Sequence, residues 1–288
     1  MTGPKAGSLS VINGIFGFRK HIMQELLAQA TSVKERIFQV DFSICTLVNN
    51  KQEYEEMMAS FVEAGFSLST CEFLYVDNSG KNQFDAYAGL NIMLQRARGK
   101  YVILCHQDIL LNVDKRDKLE QRIAQLDTLD AKWAVAGNAG AAGPNYIVYK
   151  VAYPDGTIEN KGKFPLKAQS LDEHFILVKN IAGLSFSNDL SGFHLYGADI
   201  CLQAAAKGYN SYVIDFQVWH KSRGNPDKSF HQCKENLIRK YNRLFRARWV
   251  QTTTTSFYLS GSSVVKLNKN PFSLFCIRMW NGLKKRTI

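Results

Sequence analysis

The chain has 288 residues, 45% hydrophobic and 21% charged, a balance that excludes a disordered or fibrous polymer and fits one large α/β domain with an appendage. Its formal charge of +11 is unevenly spread: residues 229–288 carry 12 Lys or Arg against Glu235 alone, leaving 24 basic and 24 acidic residues in positions 1–228. A neutral body with a basic end argues against a nucleic-acid groove through the fold and for a surface-binding tail.

Residues 1–10 are rich in Gly, Ser and Lys and read as loose, and 18–36 read as a helix preceding the main sheet. An apolar run at 42–48 predicts the first strand, ending in Asn49-Asn50. Tyr54, Met57, Met58, Phe61 and Val62 then follow at helical spacing. A second strand over 71–76 ends in Asp77-Asn78-Ser79-Gly80, and a helix over 85–97 stops before Gly99. A third strand over 101–105 ends in His106-Gln107-Asp108, and a helix over 115–126 leads to Trp133-Ala134-Val135-Ala136-Gly137.

Continuously apolar strands alternating with helices predict a parallel sheet covered on both faces. Ligands bind such sheets beyond the carboxyl ends of the strands, where all three polar clusters fall. Beyond residue 137 the expectations are a flexible or substrate-flanking loop at 137–143, short strands over 144–165 with a turn at Pro154-Asp155-Gly156, and strands at 171–179 and 212–219. A helix over 198–206 closes at Gly208; a basic helix over 229–247 precedes a Thr run, a Gly/Ser patch and an amphipathic stretch over 271–286.

Asp77 can accept from a nucleobase N–H or a ribose hydroxyl, or simply start a turn. Asp108 can hold a divalent cation against a departing diphosphate, or cap the following segment. His220, ending a strand, offers a second metal ligand or a rim residue. Asp199, at a helix start, can deprotonate an acceptor hydroxyl or complement the helix dipole. Asp172-Glu173-His174 and His194 offer further base candidates. The six cysteines, Cys45, Cys71, Cys105, Cys201, Cys233 and Cys276, form no CxxC pair, which argues against a zinc cluster and for a reducing setting. Neither a signal peptide nor a membrane-spanning helix is expected.

The ordered series Leu74-Tyr75-Val76-Asp77-Asn78-Ser79, Ala88-Gly89-Leu90-Asn91, Ala97-Arg98-Gly99-Lys100-Tyr101 and His106-Gln107-Asp108 resembles family-2-type glycosyltransferases of the GT-A fold. The later segments Gly192-Phe193-His194-Leu195-Tyr196-Gly197-Ala198-Asp199 and Lys207-Gly208-Tyr209 extend the resemblance to about residues 42–222. It implies a GT-A-like mixed, mainly parallel sheet flanked by helices over 38–228, between an N-terminal extension at 1–37 and a basic helical C-terminal extension at 229–288. The implied activity is hexosyl transfer from a nucleotide-sugar donor to a hydroxyl of a glycan or lipid-linked acceptor, inverting and assisted by Mn²⁺ or Mg²⁺.

Thr46, Asn49, Asp77, Asn78, Asn91, His106 and Gln107 would meet the nucleotide sugar, and Asp108 and His220 the metal. The pattern departs from the family at two places. His106 stands where the Asp-x-Asp-like motif carries its first acid, and Tyr196-Gly197 where a Glu-Asp pair is usual. The base therefore falls to Asp199, Glu173, Asp172 or His194. A bacterial surface-polysaccharide or glycolipid pathway is the implied setting; from the residues themselves, the basic amphipathic stretch over 271–286 reads as contact with anionic lipid at the cytosolic membrane face or as a helix docked on the body, and no nucleic-acid partner is expected. The rivals are a nucleotidyltransferase on a similar sheet and a non-catalytic protein binding membrane or nucleic acid through residues 229–288.

Overall fold

The computed structural model describes residues 23–223 and 228–261, with Phe272, Phe275, Cys276 and Met279 beyond them. The loose segment expected at 1–10, the start of the helix expected at 18–36 and most of the stretch expected at 271–286 lie outside the described residues. The chain divides into two units, 1–37 and 38–288. In the first, residues 23–29 are helical and 31–37 are not, and all of 23–37 is exposed.

The second unit is a mixed α/β structure. Strands β1 (Val40–Val48), β2 (Cys71–Asp77) and β3 (Gly99–Cys105) pair in parallel in the order β2-β1-β3. Helices α1 (Lys51–Glu63) and α2 (Ala86–Arg96) make the crossovers. Their starts are set locally: the Asn50 side chain accepts from Gln52 N and Glu53 N, and Asp85 accepts from Ala88 N. β1 is buried on both faces, with Phe42, Ile44 and Val48 in one core and Cys45 in the other. That is why its sequence is continuously apolar rather than alternating.

The Ala97-Arg98-Gly99 turn has a structural purpose. Glu72 of β2 accepts from Ser43 Oγ at 2.6 Å, Arg98 N at 2.6 Å and Arg98 Nε at 2.7 Å, tying all three strands together. A Cβ on Gly99 would lie 2.5 Å from Ser43 N, so only glycine permits the approach.

The sheet continues through β11 (Phe175–Lys179), β5 (Trp133–Gly137), β12 (Asn210–Val213) and β9 (Leu166–Ala168), in the order β2-β1-β3-β11-β5-β12-β9. β11 runs antiparallel to both neighbours, whereas β12 runs parallel to β5. Helix α3 (Arg116–Leu129) buries Leu119, Ile123 and Leu126 in the same core as Trp133. A second sheet holds β10 (Ser170–Leu171), β6 (Ala139–Gly143), β7 (Tyr146–Ala152), β13 (Val218–His220) and β4 (Ile109–Leu110), with β8 (Ile158–Lys161) beside β7.

Three expectations are corrected here. Residues 139–143 form strand β6 rather than a flexible loop; Gly140 lets the Ser170 carbonyl approach to 2.4 Å of where a Cβ would stand. The single strand expected at 212–219 is two strands in two sheets. Ile214 and Phe216 stay buried through the bend between them, so apolarity continues where the strand does not. After helices α4 (Tyr196–Ala206) and α5 (Lys228–Phe245), the Thr run turns a hairpin, β14 (Arg248–Gln251) with β15 (Ser256–Leu259). Among the described residues, no helix is long and apolar enough to cross a membrane.

A Cβ at Gly197, in the first turn of α4, would lie 2.2 Å from the Leu171 carbonyl oxygen. Gly197→Ala is therefore expected to lower stability by about 1–3 kcal/mol through overpacking. Gly80→Ala, with nothing within 4 Å, is expected to be close to neutral. Thermal melts of the two variants check this.

Candidate functional site

The parallel strands β1, β2 and β3 deliver Asn49, Asp77 and His106-Gln107-Asp108 to one rim. β4 begins immediately after Asp108 and pairs antiparallel with β13, placing His220 opposite Ile109. Lys221 N donates to the Asp108 carbonyl at 3.0 Å and locks the register. Asp108 Oδ2 consequently stands 3.3 Å from His220 Nε2 and accepts from Ser222 Oγ at 2.7 Å. His106 Nδ1 stands 4.0 Å from Asp108 Oδ1. One ligand atom from each of His106, Asp108 and His220 lies within 4.8 Å of the others.

The surroundings prepare these groups to hold a cation. The Tyr196 hydroxyl donates to the Glu173 carbonyl at 3.2 Å and stands 2.9 Å from His106 Nε2. That contact orients the His106 ring, with Nδ1 turned toward Asp108. Although 41% of the His106 side chain remains open to the cleft, the walls around the ring lower its pKa well below the ordinary imidazole range. Asp108 opposes that shift, while the imidazoles of His220 and His174 reinforce it. Burial alone would raise the pKa of Asp108, but the hydrogen bond and charge of His220, with Ser222 and His106, hold it low. A neutral imidazole beside an ionised carboxylate is the protonation state a metal requires.

Two clefts meet at this group. The first, about 360 Å³, is lined by Asn49, Asn78, Asn82, Gln107 and Asp108 among others. The second, about 710 Å³, is lined by Tyr149, Tyr153, Glu173, His194, His220 and Phe230 among others. His106 and Phe193 line both.

In the first cleft, Gln107 is a clamp. Its Oε1 accepts from Asn49 N at 2.9 Å and Asn50 N at 3.0 Å, while its Nε2 donates to Glu53 Oε2 at 3.0 Å and to the Asn49 side chain. The Asn78 amide shapes the loop to α2, accepting from Gln83 N at 2.8 Å and donating to the Phe84 carbonyl at 2.9 Å. Asp77 sits on the rim outside this lining, held by Ser79 and by Lys51 at 2.9 Å; those contacts, Ser79 first, lower its pKa. Two residues expected here do not reach the cleft. Thr46 is fully buried against Cys105, because its strand position turns it into the sheet packing. Asn91 is also buried, bonded through both ends of its amide to the Phe186 backbone, and serves as a splint.

The carboxylates near the second cleft have separate environments. Asp199 is corrected as a base candidate. It is fully buried and accepts from Ser187 N at 2.8 Å, Ser187 Oγ at 2.6 Å and Tyr241 OH at 2.6 Å, joining α4 to α5 out of reach of either cleft. Asp172 is bonded to His174 Nδ1; burial would raise its pKa, but the His174 charge and hydrogen bond hold it low. Glu173 accepts from Gly197 N at 3.4 Å, and its pKa is raised to about 8 by burial and then by the Asp172 charge. The His194 ring lines the second cleft 5.7 Å from the Phe230 ring, and its carbonyl accepts from Tyr87 OH.

Tyr196 and Ser222 escape the sequence reading. Tyr196 stands where a carboxylate was sought, and Leu195 before it adopts φ 65, a left-handed conformation that sets the start of α4. Ser222 follows His220 by two residues, in the bend that ends β13. That nearness to His220 in the chain is the one signal by which it could have been found.

No family model matches the chain. Among solved structures it is similar to mannosyltransferase PcManGT from Pyrobaculum calidifontis in complex with GDP-Man and Mn²⁺, at 13% identity and a TM-score of 0.45, covering 82% of this chain and 73% of that one. It is also similar to S. aureus TarS 1–349 in complex with UDP-GlcNAc, at 15% identity and a TM-score of 0.44, covering 66% and 61%. A protein of Fuscovulum blasticum named ATP synthase subunits region ORF 6 is 37% identical over 226 residues, which span 76% of this chain and 91% of that protein. The chain belongs to the family of that Fuscovulum blasticum protein.

Proposed function

We propose that the protein is a metal-assisted glycosyltransferase that moves a sugar from a nucleotide-sugar donor to a hydroxyl of a glycan or lipid-linked acceptor, with inversion. The observation that carries this reading is the meeting of two clefts at His106, with Asp108 and His220 beside it. A transferase needs two substrates to share one reacting centre, and a cation group at the seam is where a leaving diphosphate accumulates charge. Six cysteines as thiols rather than disulfides, five of them buried, agree with a reducing compartment, the cytosolic side of a membrane.

The donor set favours Mn²⁺ over Mg²⁺, because two imidazoles and one carboxylate suit a borderline cation better than one that demands oxygen. When bound, the cation supplies Lewis-acid stabilisation of the diphosphate oxygens. Tyr196 orients the His106 ring, Ser222 orients Asp108, and Gln107 fixes the strand ends that frame the donor cleft. Glu173 is the acceptor base, since Asp199 is enclosed and Asp172 is engaged by His174. It takes the acceptor hydroxyl proton as the oxygen bonds to the anomeric carbon. The bond from that carbon to the diphosphate oxygen breaks, and the nucleoside diphosphate leaves.

A thermal-shift panel of nucleoside diphosphates and nucleotide sugars, with and without Mn²⁺, tests the reading. A ligand at a hundred times its Kd stabilises the native state by about 2.7 kcal/mol, equivalent to a melting rise of roughly 5–10 °C. No shift with any nucleotide overturns the proposal. Release of pyrophosphate rather than a nucleoside diphosphate during turnover would instead mark a nucleotidyltransferase.

Two predictions concern individual residues. Tyr196→Phe keeps the ring but removes the hydroxyl that orients His106, and should weaken Mn²⁺ binding about 10–100-fold in an EPR titration. Glu173 must be unprotonated to accept a proton, so kcat should rise with pH toward about 8 and level above it. Glu173→Gln should remove that limb and lower kcat by about 10²–10⁴.

A further inference from the structure

We infer that the end of α5 and the β14–β15 hairpin form a docking face for an anionic phospholipid surface, a feature independent of the catalytic reading. Lys240, Arg243, Arg246 and Arg248 line one cavity of about 350 Å³ together with Leu244. Arg248 Nη1 donates to the Leu244 carbonyl at 2.8 Å and the Arg246 carbonyl at 3.1 Å, which fixes the hairpin against the helix end. Asp189 pairs with Lys240 and stands 3.7 Å from Arg243, so a single carboxylate is recorded against two of the four cations.

The apolar residues of this region point outward. Phe245 is 58% exposed and Leu244 44% exposed at the helix end. On the hairpin, Arg248 is opposite Leu259 and Val250 opposite Phe257, so these four share one face. Phe257 and Leu259 are 40% and 43% exposed there, whereas the Trp249 and Tyr258 rings meet at a tilt on the other face, 5.4 Å apart. A hairpin in water turns its polar alternation outward; this one presents its apolar side beside arginines.

Exposed apolar residues among cations match a bilayer interface carrying negative headgroups. The rings and aliphatic groups enter the acyl boundary while the guanidinium groups remain among the phosphates. The chain's whole charge excess lies in residues 229–288, the segment that contains this face. A nucleic-acid duplex would match the charge but, with its bases already stacked, leave Phe257, Leu259 and Phe245 without a purpose.

The test is vesicle co-sedimentation of the full chain, using phosphatidylcholine alone and phosphatidylcholine mixed with phosphatidylserine. The expected result is pelleting with the mixed vesicles only, reduced by salt. Arg243→Gln with Arg246→Gln should lower the partition roughly 30-fold, from the loss of two surface cations. Arg243 is 81% exposed and its ion pair is with the partly exposed Asp189, so a melt unchanged from wild type is expected alongside. Phe257→Ser with Leu259→Ser should also lower binding, which a purely electrostatic surface would not show. Lys132→Gln with Lys161→Gln removes equal charge elsewhere and should leave binding unchanged.

Equal pelleting with both vesicle types overturns the inference. So does an equal loss from the control pair, or binding of single-stranded RNA through Arg243 and Arg246 without vesicle binding. The arginine variant should keep the nucleotide-induced thermal shift, so failure here is separable from failure of the catalytic proposal.

Discussion

The site depends on one short antiparallel pairing. β4 and β13 are two and three residues long, yet their register sets His220 opposite Ile109 and so beside Asp108. The Lys221 N–H to Asp108 carbonyl bond closes this ladder at the rim. Strands this short are not stable alone. They are held because Ile109, Leu111, Phe216 and Val218 are buried in the main core. Core packing thus pays for bringing together a carboxylate and an imidazole that are far apart in the chain.

A second constraint comes from the start of α4. Gly197 permits close contact with the Leu171 carbonyl, and Leu195 takes a left-handed conformation just before it. Together they place the Tyr196 hydroxyl between His106 and the Glu173 carbonyl. Tyr196 links the two clefts by a chain of hydrogen bonds, and Asp199, three residues on, anchors the same helix to α5. A helix tethered at one turn and committed at its first residue is a rigid support for the histidine it contacts.

Three carboxylates, Asp172, Glu173 and Asp199, show how environment decides role. Asp199 is enclosed and fully hydrogen-bonded, so it joins elements. Asp172 is drawn to His174 and kept ionised. Glu173 is half-buried at the second cleft, where desolvation raises its pKa and the Asp172 charge raises it further. The residue type is nearly the same in each case; the surrounding donors and charges separate them.

The parallel trio β2-β1-β3 and its polar rim were legible in the amino-acid sequence, because continuous apolar runs bounded by Asn, Asp and His mark buried parallel strands and their carboxyl ends. Helix α5 and the basic end were legible for the same local reasons of periodicity and charge. The hairpin after α5 was not, since a Thr run carries no two-residue turn signature. Thr46 and Asn91 were placed at the ligand by resemblance, which does not say which way each side chain turns. The sequence by itself determined the order of elements, the rim on which polar residues gather and the uneven charge. Tertiary structure alone decided that Asp199 is sealed, that the chain breaks between β12 and β13, and that His106, Asp108 and His220 converge. Local periodicity records burial, whereas convergence depends on register between strands that are distant in sequence, and on bends that stay as apolar as the strands they separate.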